Sequence, residues 1–157
     1  MDAQARAATK ADVSEIVRLY RQYREGLAPE RGGGVHMLKE TIGEPLEVAF
    51  DSLLQDDSWL LLIGTLDVVP LGISAARIEE MPDSSLLAAV DFLYVDPPAR
   101  EVGVGEALLD QIVLWAGERG AAGVDVRVLP GMRESKNFLE GAGFSARLLV
   151  MHRRLTR

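Results

Sequence analysis

"LYVDPPAREVGVGEALL", residues 93–109, opens apolar, breaks at Pro97-Pro98 and then runs Arg-x-x-Gly-x-Gly from Arg100 to Gly105 into an apolar periodicity. Two consecutive prolines cannot continue a central strand, so the stretch predicts a strand that ends near Val95 and a helix that begins near Gly103. A helix starting there leaves its first backbone N–H groups without partners. Those donors and the positive end of the helix dipole form a ready anion site. Glycines at 103 and 105 remove side chains that would hold a diphosphate off the backbone. Arg100, just outside the helix, can add a bidentate contact to phosphate oxygens. The string is not a dinucleotide fingerprint, because the third glycine would fall at Leu108, and no Gly-Lys-Ser/Thr follows to make a P-loop. The bland alternative is a tight strand-to-helix turn whose arginine only covers surface.

Reading outward from the seam gives the order of elements. "ARAAT" (5–9) reads as a first strand, and "TKADVSEIVRLYRQYREG" (9–26) as a helix with a capping box at Thr9 and Asp12 and a stop at Gly26. Val13, Ile16, Val17, Tyr20 and Tyr23 share one stripe of it. The Pro and triple Gly of "LAPERGGGVHM" (27–37) predict a loop without regular structure. "EPLEVAFDSLLQDDS" (44–58) reads as a second helix with Val48, Ala49, Leu53 and Phe50 inward. Its other face carries Glu44, Glu47, Asp51, Asp56 and Asp57 with no basic residue, which predicts a solvated face able to attract a cation. Three apolar, β-rich runs follow at 58–67, 69–80 and 84–96, separated by turn signals, and read as an antiparallel meander. The helix after the seam (103–120) turns Val104, Leu108, Ile112, Trp115 and Ala116 inward. "GVDVRVLP" (123–130) is a strand, "MRESKNFLEGAG" (132–143) a short helix and "FSARLLVMHRRL" (144–155) a last strand, whose apolar "LLVM" can pair across a homodimer. The predicted order is β-α-α-β-β-β-α-β-α-β, an α+β sandwich with a mixed, mostly antiparallel sheet and helices on both faces.

Length and composition bound what such a chain can do. At 157 residues, 48% hydrophobic and 26% charged, it reads as a single domain spanning 1–157. A net charge of −7 argues against a nucleic-acid partner, whose phosphates need a basic face. No run is long and apolar enough for a membrane span, and "MDAQARAATKADV" lacks the layout of a secretory signal, so the expected location is cytoplasmic. There is no cysteine, hence no disulfide and no thiolate nucleophile, and two isolated histidines, His36 and His152, make no metal site.

With these residues in place the chain resembles the GNAT superfamily of N-acetyltransferases over nearly its whole length, most sharply from Asp91 to Phe144. Arg100-Glu101-Val102-Gly103-Val104-Gly105 matches that family's pyrophosphate motif at every fixed position. The resemblance implies acetyl-CoA as co-substrate, without a metal. It implies that the backbone of Val102 to Glu106 holds the coenzyme A diphosphate beside Arg100 and Glu101. It also implies that Leu93, Tyr94 and Val95 pair with pantetheine as a strand would. "NFLEGAGF" resembles the family's late motif, with Gly143 and Phe144 in place. One position departs: the tyrosine that usually protonates the leaving thiolate falls on Leu139, and the asparagine often found before it falls on Met132, with Asn137 nearby in another register. A thiol with a pKa of about 8.5 leaves unprotonated near pH 7 at a cost of roughly 2 kcal/mol, which slows acyl transfer without ending it.

The resemblance therefore implies transfer of an acetyl group to an amine of a small molecule or peptide by direct attack. Asp91, four residues before Val95, is the first choice of general base, ahead of Glu79 and Glu80 on the neighbouring strand. The alternative is a non-catalytic acyl-CoA-binding sensor of the same fold. Tyr20 and Tyr23 read as packing, Tyr94 as packing or pocket wall, His36 as a loop residue near the acceptor side, His152 as surface, and Trp59 and Trp115 as core.

Overall fold

In the computed structural model, which describes residues 1–156, the three central apolar runs form the expected meander. β2 (Trp59–Leu66), β3 (Val69–Glu80) and β4 (Leu86–Val95) pair antiparallel in chain order. Asp67 and Val68 turn the first hairpin with φ of 48° and 64°, the left-handed backbone a two-residue hairpin turn requires. β1 (Ala3–Ala7) adds antiparallel to β2 at one edge, and β5 (Ala121–Val126) adds parallel to β4 at the other. The sheet is mixed and mostly antiparallel.

Side-chain alternation sends each strand's apolar residues to two faces. Leu61, Ile63, Ile73, Ala75 and Phe92 face α1 (Val13–Leu27) and α3 (Leu46–Leu54). Leu62, Ala76, Val90 and Val95 face α4 (Val104–Glu118). α1 begins after a short 3₁₀ turn in which the Asp12 carboxylate accepts the Thr9 backbone N–H at 2.8 Å. Its Tyr20 ring stands edge-on to Phe50 at 5.3 Å and to Phe92 at 4.8 Å, a geometry that adds to plain burial. α5 (Arg133–Gly141) follows β5. No helix among the described residues is long and apolar enough to cross a membrane.

Three expectations are corrected. The glycine-rich stretch contains a helix, α2 (Gly33–Lys39). Its glycines fall at the start, where Gly32 takes φ of 80° and a Cβ on Gly33 would lie 1.7 Å from the Leu27 carbonyl oxygen. Glycine there permits a close approach rather than forbidding a helix. In α3, Leu46 and Phe50 form the buried stripe while Val48 is 61% exposed, so the inward face is rotated from the expected one. The acidic face next to it is solvated as expected, and the cation it meets is Arg21 of α1, which pairs with Glu44 and approaches Glu47 at 3.9 Å. Finally, residues 144–156 form no strand, and among the described residues no backbone–backbone hydrogen bond involves residues 145–156. An apolar pattern records how a strand would be buried, and among the described residues this segment pairs with no strand.

α4 lies directly on the sheet because two glycines face each other beneath it. Gly64 and Gly72 are cross-strand partners on β2 and β3. A Cβ on either would come within 2.8 Å and 2.9 Å of Val104 Cγ1, and Leu108 closes the other side at 3.1–3.2 Å. Gly72→Val should therefore lift the start of α4 and cost about 1–3 kcal/mol. The measurement is the denaturant midpoint, and an unchanged value would show that α4 does not rest on this floor.

Candidate functional site

The seam between β4 and α4 is a short, strained path. Pro97–Ala99 makes one 3₁₀ turn, Arg100 is extended, and Glu101 and Gly103 take φ of 67° and 99°. Left-handed residues alternating with right-handed or extended ones turn successive N–H groups toward one concavity. Among the described residues, none of the backbone N–H groups from Glu101 to Glu106 has an acceptor in the chain; the first that does is Ala107, bonded to the Gly103 carbonyl. Gly105 is not needed by the protein's own packing. A Cβ there would meet only Phe138 at 3.6 Å and Val95 at 3.7 Å, both ordinary contacts. Arg100 donates its Nε–H to the Val95 carbonyl at 2.9 Å and lays its guanidinium over the Tyr94 ring at 5.7 Å. One edge of the guanidinium is thereby fixed while its terminal nitrogens stay available.

β4 offers a second opening. Its pairing with β3 continues to Val95, but its pairing with β5 ends at Val90 opposite Val126. From Phe92 to Val95 the strand has a ladder on one side only, which leaves backbone groups on its other side unpaired by β5. Next to it is a cleft of about 570 Å³, lined by Tyr94, Pro97, Arg100 and Met132 on one side and by Gln22, Tyr23, Gly26 and Leu27 of α1 on the other. Glu25, Glu30 and Asp96 also line it, and Arg100 is its single basic residue. Burial raises the Tyr94 hydroxyl above its usual value, helped by the charge of Asp96.

Asp91 sits at a break in register. Ala75 pairs with Phe92 and Ala76 with Val90, so Asp91 is an extra residue with no partner on β3. Such a bulge re-aims the side chain. Here it faces α1, beside Arg77 at 3.1 Å and Arg127 at 3.4 Å. Burial raises its carboxyl above the ordinary range, with Arg127 and then Arg77 pulling against the rise. Arg127 also donates to Glu40 at 2.6 Å, and Glu40 lies 3.4 Å from His36 Nδ1. The network thus ties the end of β5 to both β4 and the end of α2. Above it, burial pushes the Tyr20 hydroxyl up to about 12 and raises Tyr23 as well, the charge of Asp91 adding to both.

Of the residues expected from sequence, Tyr94 and Arg100 line one cleft, and residues 101–106 follow Arg100 in the chain without lining it. Leu93 packs with the α4 core, and Val104 is fully buried there. Asp91 is not among the residues that line the cleft. Glu79 is held by Arg77 at 2.7 Å, and Glu80 is exposed. Leu139 is 7% exposed, and the ring that reaches toward Gly105 belongs to its neighbour Phe138. The cleft carboxylates Glu25, Glu30 and Asp96 were not expected. They come from three separate segments, and no spacing in the sequence joins them.

Comparison with known proteins adds the family. The family model described as Acetyltransferase (GNAT) family matches residues 18–144. No curated protein sequence matches the chain. Among solved structures, a tetramutant of the BH1408 protein from Bacillus halodurans is 18% identical with a TM-score of 0.81, over 96% of this chain and 99% of that one. The aminoglycoside acetyltransferase AAC(6')-Iy, in complex with the bisubstrate analogue CoA-S-monomethyl-acetylneamine, is 20% identical with a TM-score of 0.75, over 99% and 100%. An aminoglycoside acetyltransferase from an uncultured soil metagenomic sample, in complex with trehalose, is 17% identical with a TM-score of 0.72, over 99% and 96%. At these identities the likeness is one of fold.

Arg127→Ala should raise the Asp91 carboxyl further, because it removes the stronger of the two opposing charges. A carboxyl-carbon NMR titration reads this directly, and an unmoved curve would separate the two groups. Folded Asp91 holds its proton more tightly than the unfolded chain does. Its contribution therefore favours folding at low pH and is lost as pH rises through the folded value.

Proposed function

Because the chain belongs to the acetyltransferase (GNAT) family, we propose that it is a single-domain enzyme moving an acetyl group from acetyl-CoA to an amine of a small molecule or peptide. The observation that carries this reading is the row of unpartnered amides from Glu101 to Glu106 beside Arg100. A diphosphate needs several converging donors and no side chain in the way, and both conditions are present at Gly103 and Gly105. In this reading Val102 to Glu106 and Arg100 hold the coenzyme diphosphate. The one-sided stretch Leu93–Val95 aligns the acyl arm, and its free N–H groups polarise the acyl carbonyl as attack proceeds.

The amine enters from the α1 side. Glu25, Glu30 and Asp96 give that cleft a negative field, which favours a cationic acceptor. The bound amine must shed a proton, and Asp91, which does not itself line the cleft, is the proposed base through an intervening water, its affinity for a proton increased by burial. Holding amine and thioester together supplies the larger part of the rate, so an enzyme with leucine at 139 remains competent. Leu139 is also the observation that favours a second reading, a module that binds acyl-CoA without turning it over.

Two measurements test these assignments. Arg100→Ala combined with Gly105→Val should weaken coenzyme A binding at least about tenfold in a calorimetric titration, with the thermal midpoint kept as a check on folding. Unchanged affinity would remove the phosphate-site assignment. Thiol release from acetyl-CoA across a panel of amines should exceed the hydrolysis background. Asp91→Asn should lose most turnover at low and neutral pH and least at high pH, where free amine is already present. Coenzyme binding without thiol release from any amine selects the sensor reading, and a pH–rate profile parallel to wild type takes Asp91 out of the mechanism.

A further inference from the structure

Where β4 and β5 stop pairing, the sheet is stitched by charge. Their ladder ends at Val90 and Val126, and the next residue on each side, Asp91 and Arg127, approach to 3.4 Å. Arg127 divides its guanidinium. One terminal nitrogen faces Asp91 Oδ1 and the other donates to Glu40 Oε2 at 2.6 Å, the closer and stronger contact. The same Glu40 oxygen lies 3.4 Å from His36 Nδ1. Two cations therefore compete for one oxygen when His36 is protonated, and only Arg127 claims it when His36 is neutral.

His36 is held in this place. Its backbone N–H donates to the Gly32 carbonyl at 3.1 Å, and its carbonyl accepts the Glu40 N–H at 2.8 Å. Its side chain is 12% exposed and that of Asp91 10%, so water and salt screen their charges weakly. A charge on His36 opposes proton uptake by Asp91. The other groups around Asp91 come from three directions. Arg77 of β3 donates to it and is shared with Glu79. Tyr20 and Tyr23 of α1 carry hydroxyls that burial raises, and Arg127 and Glu40 complete the set. Imidazole is the one side-chain type among them whose ordinary titration falls between about pH 5 and 8.

We propose that His36 is a positioning residue that keeps Asp91 ionised as the pH falls. Protonated His36 takes the Glu40 oxygen, Arg127 is released from it toward Asp91, and the two positive charges together hold the carboxylate in its charged form. Neutral His36 leaves Glu40 to Arg127, and Asp91 keeps the proton affinity that burial gives it. The consequence for acetyl transfer rests on the reading of Asp91 as the base; the coupling of the two side chains does not.

Carboxyl-carbon NMR of the full chain reads that coupling. His36→Gln should move the Asp91 titration to higher pH, whereas His36→Lys, with a permanent charge, should hold it at or below its wild-type position. By reciprocity, Asp91→Asn should move the His36 ring titration to lower pH. An Asp91 curve identical in wild type and His36→Gln overturns the inference, as does a curve that both variants move upward. Should either variant at 36 fail to fold, the His36 ring curve in Asp91→Asn decides alone, and an unmoved ring curve overturns the inference. Turnover supplies the functional arm. At the acid end of the pH–rate profile, His36→Gln should lose at least about threefold against wild type, with little loss at high pH. Shifted NMR curves beside an unmoved acid limb uphold the coupling and remove Asp91 as the base, so the two failures are told apart.

Discussion

Everything at the site depends on how close α4 comes to the sheet. Gly64 and Gly72 meet across β2 and β3, and the absence of side chains lets Val104 and Leu108 rest on the backbone. A helix at ordinary packing distance would begin further from the end of β4. The four residues from Arg100 to Gly103 would then have to stretch rather than fold into alternating left-handed turns. The unpartnered amides are thus a consequence of packing two strands away. Close-packed interiors transmit such displacements instead of absorbing them.

A second constraint acts from the opposite face. The bulge at Asp91 places one carboxylate among the aromatic rings of α1, where a lone charge is costly. Arg77 and Arg127 accompany it, and Arg127 extends the network to Glu40. A network of this kind holds three segments far apart in the sequence in one arrangement. Asp91 is the one deeply buried member, so removing both arginines would leave its charge without compensation, whereas the half-exposed arginines can turn to water.

The meander, the α4 stripe and the Arg100–Gly105 seam were legible because each is a local pattern. Alternation, 3.6-residue periodicity and a glycine next to a helix start do not depend on distant partners. What could not be read was set by tertiary neighbours. The helix at Gly33–Lys39 exists because Gly33 meets the Leu27 carbonyl, which no propensity records. Val48 faces solvent because Leu46 and Phe50 find the sheet first. The acidic row on α3 is answered by Arg21 from another helix. The cleft carboxylates converge from α1, the loop after it and the end of β4, so composition gives no hint of them. The expectation of a last strand is unmet among the described residues, since an apolar pattern alone does not supply a strand to pair with.

The two sides of the cleft are held by different devices. The seam is anchored by the glycine floor under α4, while the end of α2 is pinned through Glu40 to the end of β5. Residues 28–38 hang between α1 and that pin. Substitutions at Glu30 can reshape the cleft's outer wall at a distance from the amides at 101–106, whereas Gly33 has no room for a side chain. The glycines beneath α4, by contrast, have almost no freedom to drift.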